Sequence, residues 1–109
     1  MAEFSQEEKD NIQKQFDELL RLSPKCHKNE ETLALVKKAF SVANEAHYGT
    51  RRRSGEPYIL HPIAVARIVS DEIGLGSKSV ISALLHDVVE DTDITLEDIN
   101  NMFGPKIAQ

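Results

Sequence analysis

A single cysteine, Cys26, in 109 residues excludes an intrachain disulfide framework and suits a reducing compartment. No apolar run approaches the roughly 18 residues that a membrane-spanning helix needs. The N-terminal stretch MAEFSQEEKD is acidic and has no apolar h-region, so no signal peptide is expected and the expected location is the cytoplasm. Basic residues are in deficit: 13 Lys and Arg against 18 Asp and Glu give a net charge of −5. The chain as a whole therefore lacks the electrostatic footprint of a nucleic-acid or anionic-membrane binder. No segment alternates with period two for long enough to make a strand, and there is no repeat, linker or low-complexity tract. What remains is one domain at most, with one small core. Its 40% hydrophobic and 28% charged residues are those of an ordinary globular protein.

The punctuation of the chain predicts an all-α fold of about five helices. Ser5 and Glu8 stand at capping-box spacing, followed by Ile12, Phe16, Leu19 and Leu20 on one face. This first helix, within residues 1–28, should stop before Ser23-Pro24, because proline disfavours helical geometry in the residue before it. Asn29 with Glu30 and Glu31 opens a second helix ending near Gly49. The stretch GTRRRSGEP, from Gly49 to Pro57, has no apolar residue and two glycines, and reads as a loop. His61-Pro62 opens a third helix that Gly74 should close. Ser77 is expected to cap a fourth helix and Thr95 a short fifth, ending at Phe103-Gly104-Pro105. Pro105 reads as the first turn of a sixth, so the chain is expected to be a piece of something longer.

The segment ALLHDVVEDT, residues 83–92, joins two chemistries on one helix. At about 100° per residue, His86, Asp87, Glu90 and Asp91 cover an arc of roughly 140°. Ile81, Leu84, Leu85, Val88 and Val89 fall on the opposite side and are expected in the core. A solvated polar face is the alternative, but such a face would be expected to carry basic partners. No lysine or arginine occurs between Lys78 and Lys106. Adjacent histidine and aspartate offer nitrogen and oxygen donors side by side, a set that suits manganese, iron or zinc. An ion would also offset the repulsion among three carboxylates within five residues.

One helix cannot surround an ion, and His61, just after the apolar Tyr58-Ile59-Leu60, is the candidate for a further ligand. His27 lies in the polar connector PKCHKNE and is expected to be exposed. His47 falls at the end of the second helix, where a cationic side chain would help the dipole. The only basic cluster is Arg51-Arg52-Arg53, followed by Ser54-Gly55. Arginine pairs bidentately with phosphate oxygens, and glycine lets backbone N–H groups approach an anion. A solvated loop or a non-specific nucleic-acid contact fits the cluster equally well. Its place nine and ten residues before His61 would hang it beside the ion.

RRRSGEPYILHPIAVARIV followed by ALLHDVVEDT resembles the hydrolase domain of the RelA/SpoT bifunctional alarmone enzymes, within the HD superfamily of metal-dependent phosphohydrolases. The resemblance covers roughly residues 30 to 109, with ITLEDINNMFGPKIA fitting the family's next helix. It makes residues 29–109 the N-terminal part of an HD-type domain that removes the 3′-pyrophosphate of (p)ppGpp. It implies that His61, His86 and Asp87 hold a divalent ion, usually manganese. It implies further that Glu90 and Asp91 activate or orient the attacking water, and that Arg52, Arg53 and Ser54 contact the nucleotide. The family draws another metal-binding aspartate and further nucleotide contacts from helices beyond residue 109. The 109 residues alone are therefore expected to be inactive and to self-associate through uncovered apolar surface. The competing readings are an HD phosphodiesterase for another nucleotide, which the SGEP loop argues against, and a silent regulatory or binding module, which the intact HDVVED argues against.

Overall fold

The computed structural model describes residues 4–27, 29–70 and 77–103. Within them the chain is all-α: five helices, one 3-10 turn at Pro24–His27 and no strand. Helix α1, Gln6–Leu22, starts where the capping box places it. The Ser5 Oγ accepts from the Glu8 amide at 3.1 Å, and the Glu8 carboxylate accepts from the Ser5 amide at 2.9 Å. Two of the helix's orphan donors are thereby satisfied. Helix α2, Glu30–Ala46, is capped by Asn29, whose Oδ1 accepts from the Thr32 amide at 2.8 Å. It stops three residues before the expected Gly49, and residues 47–49 form a turn that Gly49 completes at φ +82°. Phe16 of α1 stacks on Phe40 of α2 with ring centroids 4.0 Å apart, joining the two.

The connection to α3 (Leu60–Ser70) is the predicted loop, tied into a compact form by one antiparallel bridge between Arg51 and Pro57. It reverses at Gly55, whose φ of +96° an L side chain would resist. Pro62 is the third residue of α3, inside the first turn, where its missing N–H costs no intrahelical bond. Helix α4 runs Ser77–Asp91, so Ser77 is its first helical residue rather than its cap. Helix α5, Leu96–Phe103, is capped by Thr95. The Thr95 Oγ1 accepts from the Asp98 amide at 3.1 Å, and the Asp98 carboxylate accepts from the Thr95 amide at 3.0 Å. The expected stops at Gly74 and Gly104, and the expected sixth helix from Pro105, lie outside the described residues.

Helix α4 is the centre of the domain, packed on α3 along one side and on α2 along another. Val80, Ile81, Leu84, Leu85 and Val88 are buried there, each contributing about 1.5–3 kcal/mol of transfer free energy as an upper bound. Val89 is half-buried at the edge. The inward stripe leaves the opposite face, with His86 and Glu90, at the surface. The fold thus locks α4 in rotation and fixes which side chains face outward.

Candidate metal centre

On the outer face of α4, one ligand atom from each of His86, Asp87 and Glu90 lies within 4.8 Å of the others. The His86 Nε2 is 3.8 Å from a Glu90 carboxylate oxygen one helical turn later. Donors about 2.1 Å from a shared ion sit at most about 4.2 Å apart, so the group needs small side-chain rotations to close. His86 and Glu90 are largely exposed and free to make them. One imidazole nitrogen with two carboxylates is a donor set that fits a borderline or hard divalent ion. Asp91 is exposed at the end of the helix.

His61 projects from the first turn of α3 into the same groove, which encloses about 760 Å³ between α3 and α4. His61, Val65, Val69, Ser82, His86 and Asp87 are among its walls. His61 does not join the 4.8 Å group. Instead its Nδ1 is 3.1 Å from an Arg52 guanidinium nitrogen. A guanidinium only donates, so Nδ1 accepts and the ring proton sits on Nε2 in this arrangement. The imidazole's one lone pair is thus taken by Arg52, and ligation of an ion by His61 requires Arg52 to swing away.

The three arginines of the loop have separate environments. Arg51 forms a bidentate pair with Glu8, at 2.6 and 2.8 Å, and also donates to the Gly55 carbonyl at 2.8 Å. Its guanidinium carbon is 5.2 Å from the Phe4 ring centroid. The Arg51 guanidinium holds the Glu8 carboxyl down at about 2, with help from the Ser5 amide. Arg52 and Arg53 are exposed, and Ser54 Oγ donates to Glu56 at 3.3 Å. Arg51 to Ser54, with Thr50, Glu56 and Tyr58, line a second depression of about 660 Å³. Tyr58 forms part of that wall while its hydroxyl donates at 2.8 Å to Oδ2 of Asp87, a wall of the first groove. Burial, then the hydrogen bond to Asp87, pushes the Tyr58 hydroxyl up to about 12.

His47 departs from the expectation. It is the C-cap of α2, but only 2% exposed, with Nε2 buried and lacking a hydrogen-bond partner. Burial pushes its pKa below the ordinary value, and the charges of Asp87 and Asp91 oppose that shift only in part. It is a neutral ring packed 4.9 Å from the Tyr58 ring, not a cation for the helix dipole. His27 closes the 3-10 turn, and its side chain lies outside the described residues. Sequence reading missed Tyr58, grouped with its apolar neighbours Ile59 and Leu60. The available signal was that a tyrosine entering a core carries a hydroxyl that must find a partner.

A family model described as HD domain matches residues 39–109. The chain belongs to the HD-domain family. Over 80 residues, or 73% of its length, this HD chain is 46% identical to a guanosine-3′,5′-bis(diphosphate) 3′-pyrophosphohydrolase of Vibrio cholerae. Over the same length it is 45% identical to the bifunctional (p)ppGpp synthase/hydrolase SpoT of Escherichia coli K12. A probable GTP pyrophosphokinase of Mycobacterium leprae is 48% identical over 76 residues. The chain spans 10–11% of the length of these relatives. Among the described residues, no helix is long and apolar enough to cross a membrane.

Proposed function

We propose that the chain is the N-terminal part of a metal-dependent phosphohydrolase domain that removes the 3′-pyrophosphate from (p)ppGpp, giving GDP or GTP. The observation that supports it best is the cluster of His86, Asp87 and Glu90, two of whose members, His86 and Asp87, share one groove with His61 next to an arginine-bearing loop. In this reading His61, His86 and Asp87 hold the ion, with manganese the metal that the resemblance favours. When bound, the ion would polarise a phosphoryl oxygen and make a nearby water more acidic. Glu90, adjoining the ligands, and Asp91, one turn beyond Asp87, hold and orient that water and take its proton. Arg52 and Arg53 neutralise the polyphosphate, and Ser54 adds a hydroxyl donor beside them. In this scheme Arg52, which also lies 4.0 Å from the Glu56 carboxylate, exchanges His61 for a phosphate when the ligand enters. The relatives whose names carry (p)ppGpp chemistry make the alarmone the favoured substrate.

The test is Mn²⁺ binding by the 109-residue chain, followed through the electron paramagnetic resonance signal of the free ion. Wild-type protein should bind weakly and Asp87→Asn should bind at least about tenfold more weakly, since a charged ligand is lost. A longer chain that continues past residue 109 should release pyrophosphate from (p)ppGpp, and Asp87→Asn should abolish that release. Equal Mn²⁺ binding by both proteins would remove the metal from the reading.

A further inference from the structure

Tyr58, like Arg52, lines the second depression and bonds a wall of the first groove, in its case Asp87. Its place is fixed by the backbone: the Tyr58 amide donates to the Thr50 carbonyl at 2.9 Å, next to the Arg51–Pro57 bridge. Its ring is held between two imidazoles, with centroids 4.9 Å from His47 and 5.9 Å from His61. Its hydroxyl ends on Asp87 Oδ2, 29 residues further along the chain. Asp87 is half-buried, and Tyr58 supplies a hydrogen-bond donor to it from outside α4.

We propose that Tyr58 is a positioning residue for the metal centre, holding the Asp87 carboxylate so that Oδ1 is the oxygen presented to the ion. The inference rests on the reading of Asp87 as a ligand and adds a residue to it. The terminal torsion of an aspartate is broad and nearly two-fold, so nothing within the side chain chooses which oxygen faces outward. A hydrogen bond to one oxygen makes that choice and stops the carboxylate from turning towards Tyr58 with both. Partners of this kind, behind the ligand, commonly tune metal affinity by 10- to 100-fold when removed. His47 backs the tyrosine ring from the buried side, so the ring cannot retreat from Asp87 without opening the core. Because the loop carrying Tyr58 also carries Arg52 and Arg53, a displacement of the loop on ligand entry would be passed directly to Asp87.

Tyr58→Phe tests this, since it keeps the ring and removes only the hydroxyl. Mn²⁺ titration of wild type, Tyr58→Phe and Asp87→Asn should give an affinity about 10- to 100-fold weaker for Tyr58→Phe. Its circular dichroism spectrum should match that of wild type, which separates positioning from folding. Unchanged affinity in Tyr58→Phe beside a loss in Asp87→Asn would overturn the role of Tyr58 and leave the metal reading standing. Unchanged affinity in both would overturn the two together. A measurement on wild-type protein guards against a variant that fails to fold. Bound Mn²⁺ should broaden the Tyr58 ring resonances in proton NMR spectra, and lines that stay sharp at saturating ion would overturn the proposal.

Discussion

His47 is a buried imidazole with one nitrogen unpartnered, and replacing it with leucine should weaken the protein little if at all. Two effects compete. Removing an unsatisfied buried polar atom returns about 1–3 kcal/mol of desolvation cost. Losing the ring contact with Tyr58, at 4.9 Å and 47°, gives up about 0.5–1.5 kcal/mol. Leucine fills a similar volume, so no large cavity term enters, and the expected net change at pH 7 runs from about −0.5 to about 2.5 kcal/mol in favour of the variant. The pH dependence gives a sharper signature. The folded pKa of His47 lies below its ordinary value of 6.5, so the unfolded chain binds the proton more readily. Wild-type stability from this group is therefore full above about 6.5 and declines as pH falls towards the depressed folded value. His47→Leu should remove that part of the decline. Urea unfolding followed by circular dichroism at pH 7.5 and 5.5 measures both effects. At about 4–8 °C per kcal/mol for a domain of this size, the change should also show in thermal midpoints. A loss of more than about 1 kcal/mol at pH 7.5 would refute the reasoning, because it would show that Nε2 has a partner worth keeping.

The Arg51–Glu8 pair predicts acid sensitivity in the loop: Glu8 is held at about 2 against an ordinary 4.5. Its contribution is full above about 4.5 and is lost as pH falls towards about 2, so Glu8→Gln should flatten the stability profile across that window. Acid titration of both proteins by circular dichroism is the check, and identical profiles would show that the pair contributes nothing. Arg52→Glu with Arg53→Glu, made in a chain extended past residue 109, should weaken (p)ppGpp binding by at least about 100-fold through two charge reversals, each costing at least about 1.4 kcal/mol. Both arginines are exposed, so the thermal midpoint should hardly move. Equal nucleotide binding by mutant and parent in calorimetry at low salt would return the cluster to a solvated loop.

Local signals were the legible ones. Ser5 with Glu8, Asn29 and Thr95 marked helix starts because a cap is made by residues three apart. The two faces of α4 could be read from a 100° step, and Ile81, Leu84, Leu85 and Val88 are buried as that step requires. Partners far apart in sequence were not legible. Three arginines in a row look equivalent, yet Arg51 is taken by Glu8, 43 residues earlier, and Arg52 leans on His61. His47 looked like a surface cation because helix ends are usually wet. Its burial follows from the way the loop brings Tyr58 back over the end of α2, which no local pattern contains.

Helix α4 uses one rotation for two purposes, and that restricts how its gene can change. Inserting or deleting a single codon between Ser77 and Ala83 would turn everything downstream by about 100° relative to the anchored start. His86 or Glu90 would be driven against α2 or α3, and a leucine or valine would take the place of a ligand. Substitutions can be absorbed one position at a time, whereas a change of length would damage packing and chemistry in one event. Length variation among related domains is therefore expected in the connections before Ser77 and after Asp91, with the fifteen residues of the helix itself kept at constant count.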